Sequence, residues 1–253
     1  MPPIRIVSRL DIKGPNVVKG IHLEGLRVIG NPAEMARRYY DQGIDEIIYV
    51  DIVASLYGRN SILEMIEAAA HDIFVPLTVA GGIRTIDDIK AALRSGADKV
   101  AMNTAAIERP AFLREAAEAF GSQSIVVSIE AKRRSDGDGW EALTNNGRER
   151  THIDAVDWAV EAERLGAGEI LVTSVDREGT ARGFDLELLS AIHDRVRVPV
   201  VASGGAGSTD HVLDVVRGKC ADAVACAHIF QYGHCPVPEL KTALADSGAE
   251  VRL

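Results

Sequence analysis

Short runs of β-branched and aliphatic residues alternate with amphipathic segments along the whole chain. The runs at 4–10 (IRIVSRL), 45–51 (DEIIYVD), 75–80 (VPLTVA), 98–102 (DKVAM), 124–130 (SIVVSIE), 168–174 (GEILVTS), 198–203 (VPVVAS) and 222–226 (DAVAC) predict strands. Several are almost continuously apolar, as expected of parallel strands covered on both faces. The segments at 32–42, 60–71, 85–95, 110–120, 153–165, 185–195, 209–217 and 237–247 carry helical periodicity. In 85–95, Ile86, Ile89 and Leu93 share a face, Thr85 is placed to cap the start, and Asp87 and Asp88 fall in the first turn. In 110–120, Pro110 suits the first helical position and Phe112, Leu113, Ala116 and Phe120 face inward. Eight strand–helix units predict an α/β fold, a closed (β/α)8 TIM barrel. An open doubly wound sheet is the alternative, but it usually has fewer strands and a glycine-rich first turn, which is absent here.

The pattern also repeats at half the chain length. GIDEIIYVDI (43–52) resembles GAGEILVTSV (166–175), and PLTVAGGI (76–83) resembles PVVASGGA (199–206), both at an offset of 123 residues. GADKVAMN (96–103) resembles CADAVACA (220–227), and RIVSRLDIK (5–13) resembles QSIVVSIEAK (123–132), which lays Asp11 on Glu130. Such a period is far longer than a solenoid repeat. It predicts one domain over 1–253 made of two half-barrels, about 1–121 and 122–253, related by an approximate two-fold axis.

Composition changes this picture little. The 253 residues include 28 basic and 37 acidic side chains, a formal charge of −9. That balance excludes an electrostatic nucleic-acid binder, yet it leaves room for a phosphorylated substrate held by backbone N–H groups. Cys220, Cys226 and Cys235 lack metal-ligand or redox spacing and read as free thiols in a reducing compartment. No apolar run suits a membrane span, and the N-terminus has no signal-like core. A cytoplasmic protein without nucleic-acid or membrane partners, cofactor or metal is expected.

In this fold, chemistry gathers where strands end at their C-terminal side. Asp11 ends the first predicted strand and Glu130 the fifth, so the repeat sets two carboxylates across one mouth, as paired acid and base catalysis requires. Gly81-Gly82 and Gly204-Gly205 follow the third and seventh strands. Glycine there lets backbone N–H groups approach an anion, although tight turns need glycine anyway. Asn103-Thr104 adds side-chain donors after the fourth strand. The loop DREGTARG (176–183) contributes Gly179 and Gly183 after the sixth. Two anion sites on opposite sides imply a long substrate with a phosphate at each end. At the other end of the strands, Arg5, Glu46, Lys99 and Glu169 predict a ring of alternating charge, either a structural ion-pair layer or a functional feature.

RLDIKGPNVVKG, VDIVAS, GGIRTIDDIKAALRSGADKVAMNTAA, GAGEILVTSVDREGT and ASGGAG resemble the cyclase subunits of imidazole glycerol phosphate synthase, over essentially the whole chain. The resemblance implies a lyase of histidine biosynthesis that also feeds purine synthesis. Its substrate is phosphoribulosyl formimino aminoimidazole carboxamide ribonucleotide, with a phosphate at each end. Its ammonia comes from a separate glutaminase subunit, and its products are imidazole glycerol phosphate and aminoimidazole carboxamide ribotide. By the same resemblance Asp11 is the first catalytic residue. Lys19, Asp51, Gly82, Asn103, Thr104, Thr173, Gly179, Ser203 and Gly205 surround the substrate. Arg5, Glu46, Lys99 and Glu169 gate ammonia, and Asp98 lies at the glutaminase interface.

The sequence departs from the family in several places. Glu130 stands where an aspartate is usual, Arg9 where a small residue is usual, Glu178 for an aspartate, and His228 for a serine at the second phosphate site. The segment 132–152 reads as a long polar loop, a mobile lid. These changes gather at the mouth while the charged ring is intact. That pattern also fits a paralogue supplying ammonia for amidination of a surface-polysaccharide sugar, or a quiet barrel that partners a glutaminase. The sister phosphoribosyl isomerases share the paired carboxylates but fit the ring and VTSVDREGT less well. His22 lies in the long loop after the first strand, where an exposed loop histidine is the commoner reading and contact with substrate the alternative. His71, His193 and His211 fall in helices and are expected to face solvent, and Trp140 and Trp158 are expected to pack.

Overall fold

The computed structural model describes residues 3–21, 24–54, 62–135 and 137–252. Its strands are β1 (Arg5–Lys13), β2 (Asn16–Ile21), β3 (Glu24–Gly30), β4 (Glu46–Asp51), β5 (Leu77–Ala80), β6 (Lys99–Met102), β7 (Ile125–Arg133), β8 (Trp140–Thr144), β9 (Glu149–Asp154), β10 (Glu169–Ser174), β11 (Val200–Ser203) and β12 (Ala223–Cys226). The order β10-β11-β12-β1-β4-β5-β6-β7 is parallel throughout, and β7 pairs with β10 to close the ring. Closure rules out the open doubly wound sheet. Each of the eight predicted runs lies on one of these barrel strands.

The helices are α1 (Pro32–Asp41), α2 (Leu63–Asp72), α3 (Ile86–Arg94), α4 (Thr104–Glu108), α5 (Ala111–Phe120), α6 (Ala155–Arg164), α7 (Leu186–His193), α8 (Thr209–Gly218), α9 (His228–Gln231) and α10 (Val237–Asp246). Their starts follow from local chemistry. Asn31 accepts from the N–H groups of Ala33 and Glu34 at the head of α1. Thr85 and Asp88 form a reciprocal capping box on α3. The apolar helix faces pack on the outer face of the barrel in one continuous core.

The inside of the barrel follows from strand alternation. On β1, Arg5, Val7, Arg9 and Asp11 fall on one face and rise from the bottom to the mouth. Val7 joins Ile48, Ala80, Ala101, Val126, Leu171, Val201, Ala223 and Ala225 in a second apolar cluster that fills the lumen. Carboxylates pin strand starts below it. Asp98 Oδ2 accepts from Leu77 N, Asp222 Oδ2 from Val200 N, and Asp45 Oδ2 from Ile6 N.

Several expectations need correction. The segment 132–152 is not an unstructured lid. β7 runs on to Arg133 and pairs antiparallel with β8, which pairs with β9. Trp140 is buried there and its Nε1–H donates to Asp185. On the opposite side, β1 runs on into β2 and β3 in the same way. The short helices α4 and α9 fall in stretches read only as loops. His71 is exposed as expected. However, His211 is half-buried and its Nδ1 accepts from Gly207 N, and half-buried His193 lies 3.6 Å from Asp222. His22 lies outside the described residues. Cys220, Cys226 and Cys235 are buried free thiols. No helix among the described residues is long and apolar enough to cross a membrane.

Candidate active site

The four charged residues at the strand starts make a closed ring. Arg5 donates to Glu46 at 2.7 Å and to Glu169 at 2.6 Å, and Lys99 donates to Glu46 at 3.2 Å and to Glu169 at 2.9 Å. β1 and β10 are separated in the sheet by β12 and β11, so the Arg5–Glu169 pair spans the lumen rather than linking neighbours. Two cations and two carboxylates thus close the bottom of the barrel. Asp98, next to Lys99, is exposed on the same face.

At the mouth, Asp11 is buried beneath two cations. Arg9 Nε donates to its Oδ1 at 2.8 Å, and Lys19 Nζ lies 3.7 Å from its Oδ2. Lys19 also donates to Glu178. Burial alone would raise the Asp11 pKa, but Arg9 and Lys19 outweigh it and hold the carboxyl below its ordinary range. Arg9 then reaches across the lumen. Its Nη1 donates to Thr173 Oγ1 on β10 at 2.9 Å and to Ser203 Oγ on β11 at 3.1 Å.

Glu130, also buried, behaves in the opposite way. Its Oε2 accepts from Asn103 Nδ2 at 2.9 Å and from Gly147 N at 2.7 Å. The longer side chain thereby reaches the β8–β9 turn, which an aspartate's shorter arm would approach less closely. Burial pushes its pKa up to about 7, against the smaller lowering pull of Arg9, Gly147 and Asn103. One mouth carboxylate is therefore held ionised while the other keeps its proton near neutrality.

Gly81 and Gly204 sit at equivalent turns with φ of +93° and +94°. A Cβ on Gly81 would lie 2.1 Å from the Asp51 carbonyl oxygen. One on Gly204 would lie 2.9 Å from that of Ser174, the residue 123 positions after Asp51. Close packing and left-handed backbone both require glycine there. Asp51 is buried and accepts from Val53 N. Gly179 packs against the Gly20 carbonyl, which brings the 176–183 loop onto the β2 edge.

Open space at the mouth is lopsided. A cavity of about 560 Å³ is lined by Asp51, Gly81, Gly82, Arg84, Asn103, Thr104, Arg109, Ser128, Glu130, Asn145 and Asn146. The space bounded by Arg9, Lys19, Glu178, Gly179, Ser203, Gly204, Gly205 and His228 is only about 10 Å³. His228 opens α9, and its ring stacks on His234 with centroids 5.2 Å apart. Burial, with His234 and Lys19, lowers its pKa, so it is neutral at pH 7. Beyond it, a groove of about 480 Å³ runs along Lys19, Gly20, Ile21, Arg27 and Tyr232.

Sequence reasoning missed Arg84, Arg109, Ser128, Asn145 and Asn146. Arg84 comes two residues after Gly82 and Ser128 is two residues before Glu130, so position alone pointed to both. Asn145 and Asn146 come from the turn between β8 and β9, which was not anticipated. Asn103, read as an anion donor, spends its amide N–H groups on Glu130 and the Leu143 carbonyl.

A family model described as histidine biosynthesis protein matches residues 5–236. A curated relative from Legionella pneumophila, imidazole glycerol phosphate synthase subunit HisF, is 57% identical over 210 residues. The match covers 83% of this chain and 99% of the relative.

Proposed function

The chain belongs to the histidine biosynthesis protein family, and on that premise we propose that it is the ammonia-dependent cyclase of an imidazole glycerol phosphate synthase. It converts phosphoribulosyl formimino aminoimidazole carboxamide ribonucleotide and ammonia to imidazole glycerol phosphate, aminoimidazole carboxamide ribotide and water. The observation that carries this reading is the pair of buried mouth carboxylates with pKa values driven apart. Adding ammonia to a carbonyl and expelling an amine needs one group to take a proton and another to give one. Asp11, held ionised by Arg9 and Lys19, is the base, and Glu130, protonated up to about pH 7, is the acid.

The substrate lies between the half-barrels, about 1–121 and 122–253, of one domain. One phosphate goes to Gly81, Gly82 and Thr104 in the open cavity, with Asp51 and Arg84 beside it and Asn103 at its edge, its side chain holding Glu130. The other goes to Ser203, Gly204, Gly205 and His228. Lys19, Thr173 and Gly179 border the centre. A glutaminase subunit docks on the bottom face at Asp98 and delivers ammonia through the ring of Arg5, Glu46, Lys99 and Glu169. The setting is the cytoplasm.

Asp11→Asn tests the assignment. It removes the base while keeping the shape, and ammonium-driven turnover should fall by about 10²–10⁴-fold. Turnover within a few-fold of wild type would remove Asp11 from the chemistry.

A further inference from the structure

We propose that Arg9 is the specificity-determining residue of the mouth. Its guanidinium keeps the anion subsite at Gly204–Gly205 shut, so the empty barrel binds phosphate only at Gly81–Gly82. A second phosphate enters only by displacing Arg9 from Thr173 and Ser203. The proposal rests on the reading of the two glycine turns as phosphate sites.

Three observations carry it. First, the space at Gly204–Gly205 is about 10 Å³, which is the room of about one water and not of a phosphate. Second, the chain supplies its own control. Two residues before Glu130 on β7 stands Ser128, and that half of the mouth is open to about 560 Å³. Two residues before Asp11 on β1 stands Arg9, and that half is filled. Third, Arg9 is not waiting as a free anion ligand. Its Nε is bonded to Asp11 and its Nη1 to Thr173 and Ser203. Lys19 is likewise engaged by Glu178 and Asp11. Two cations and two carboxylates cancel within this buried cluster. An incoming phosphate must therefore break charge-assisted hydrogen bonds before it gains any.

The test is a titration of the full-length, isotope-labelled protein with inorganic phosphate, following the backbone amide resonances of Gly81, Gly82, Gly204 and Gly205. Wild type should respond at Gly81 and Gly82 and stay silent at Gly204 and Gly205. In Arg9→Gly, and in Arg9→Ser, which copies the Ser128 side, the Gly204 and Gly205 resonances should respond, with half-saturation at least about ten-fold below the highest phosphate concentration at which wild type stays silent there. The wild-type titration reads out even where a variant fails to fold. A wild-type response at Gly204 and Gly205 matching that at Gly81 and Gly82 would overturn the role of Arg9 and leave the phosphate reading standing. So would a folded Arg9 variant that stays silent there while its Gly81 and Gly82 respond. Silence at both turns in every protein would overturn both.

Discussion

Glu130 and Asp11 are both buried carboxylates at strand ends, yet their surroundings give them opposite protonation states. The pH dependence follows. With Asp11 ionised and Glu130 protonated, kcat/KM should hold level up to about pH 7 and then fall as Glu130 loses its proton. A pH–rate profile expressed per free ammonia, so that deprotonation of ammonium is taken out, checks this, and a corrected profile still rising through pH 8 would contradict the assignment. Stability carries the same sign information. The folded pKa of Glu130 lies above its ordinary 4.5, so this group costs stability as pH rises from about 4.5 to about 7, and the cost stays constant above. Glu130→Gln keeps an oxygen for Asn103 and Gly147 but cannot ionise. It should be more stable than wild type at pH 8, by on the order of 3 kcal/mol, and no more stable at pH 4, while losing activity. Asp11 works in the opposite direction, since the stability it contributes is lost as pH falls through its lowered pKa. At this scale the sequence was partly legible. Alternation on β1 puts Arg9 on the same face as Arg5 and Asp11. Which way its guanidinium turns depended on Thr173 and Ser203, more than 160 residues away.

The eight barrel strands were readable because parallel strands covered on both faces appear as apolar runs. The two excursions were not. Their strands mix exposed and half-buried positions, as in β9, or bury polar residues whose partners lie elsewhere. On β8, Glu141 is buried because Arg150 and His152 on β9 satisfy it, which no local pattern announces. The turns allow a direct structural test. Gly81→Ala would force a Cβ to 2.1 Å from the Asp51 carbonyl oxygen at a φ of +93°, and should cost roughly 1–3 kcal/mol or more. Thermal or denaturant unfolding measures it, and an unchanged midpoint would show that the turn relaxes freely. The ring at the strand starts belongs to this scale too. Lys99→Met leaves Glu46 and Glu169 with Arg5 alone. In complex with the glutaminase it should lower glutamine-driven product formation relative to glutamine hydrolysis, while ammonium-driven turnover stays near wild type. Equal loss of both rates would make the ring purely structural.

Across the whole molecule, the proposed doubly phosphorylated substrate has to be held by a chain with a charge of −9. This works because the fold gathers glycine turns and a few cations at one end of the strands and leaves the acidic excess elsewhere. The lumen is closed at the bottom by Arg5, Glu46, Lys99 and Glu169. It is crossed at the top by Arg9, with small and aliphatic side chains between. On the proposed reading, chemistry is confined to the mouth and the bottom face is where the glutaminase docks. The central claim is that this mouth performs the cyclase reaction with ammonia as its nitrogen source. It is tested most directly by giving the purified chain alone the doubly phosphorylated substrate and ammonium and resolving the products. Imidazole glycerol phosphate and aminoimidazole carboxamide ribotide should appear in equal amounts, and neither should form when ammonium is omitted. Substrate recovered intact, from protein shown to be folded and to bind it, would contradict the account.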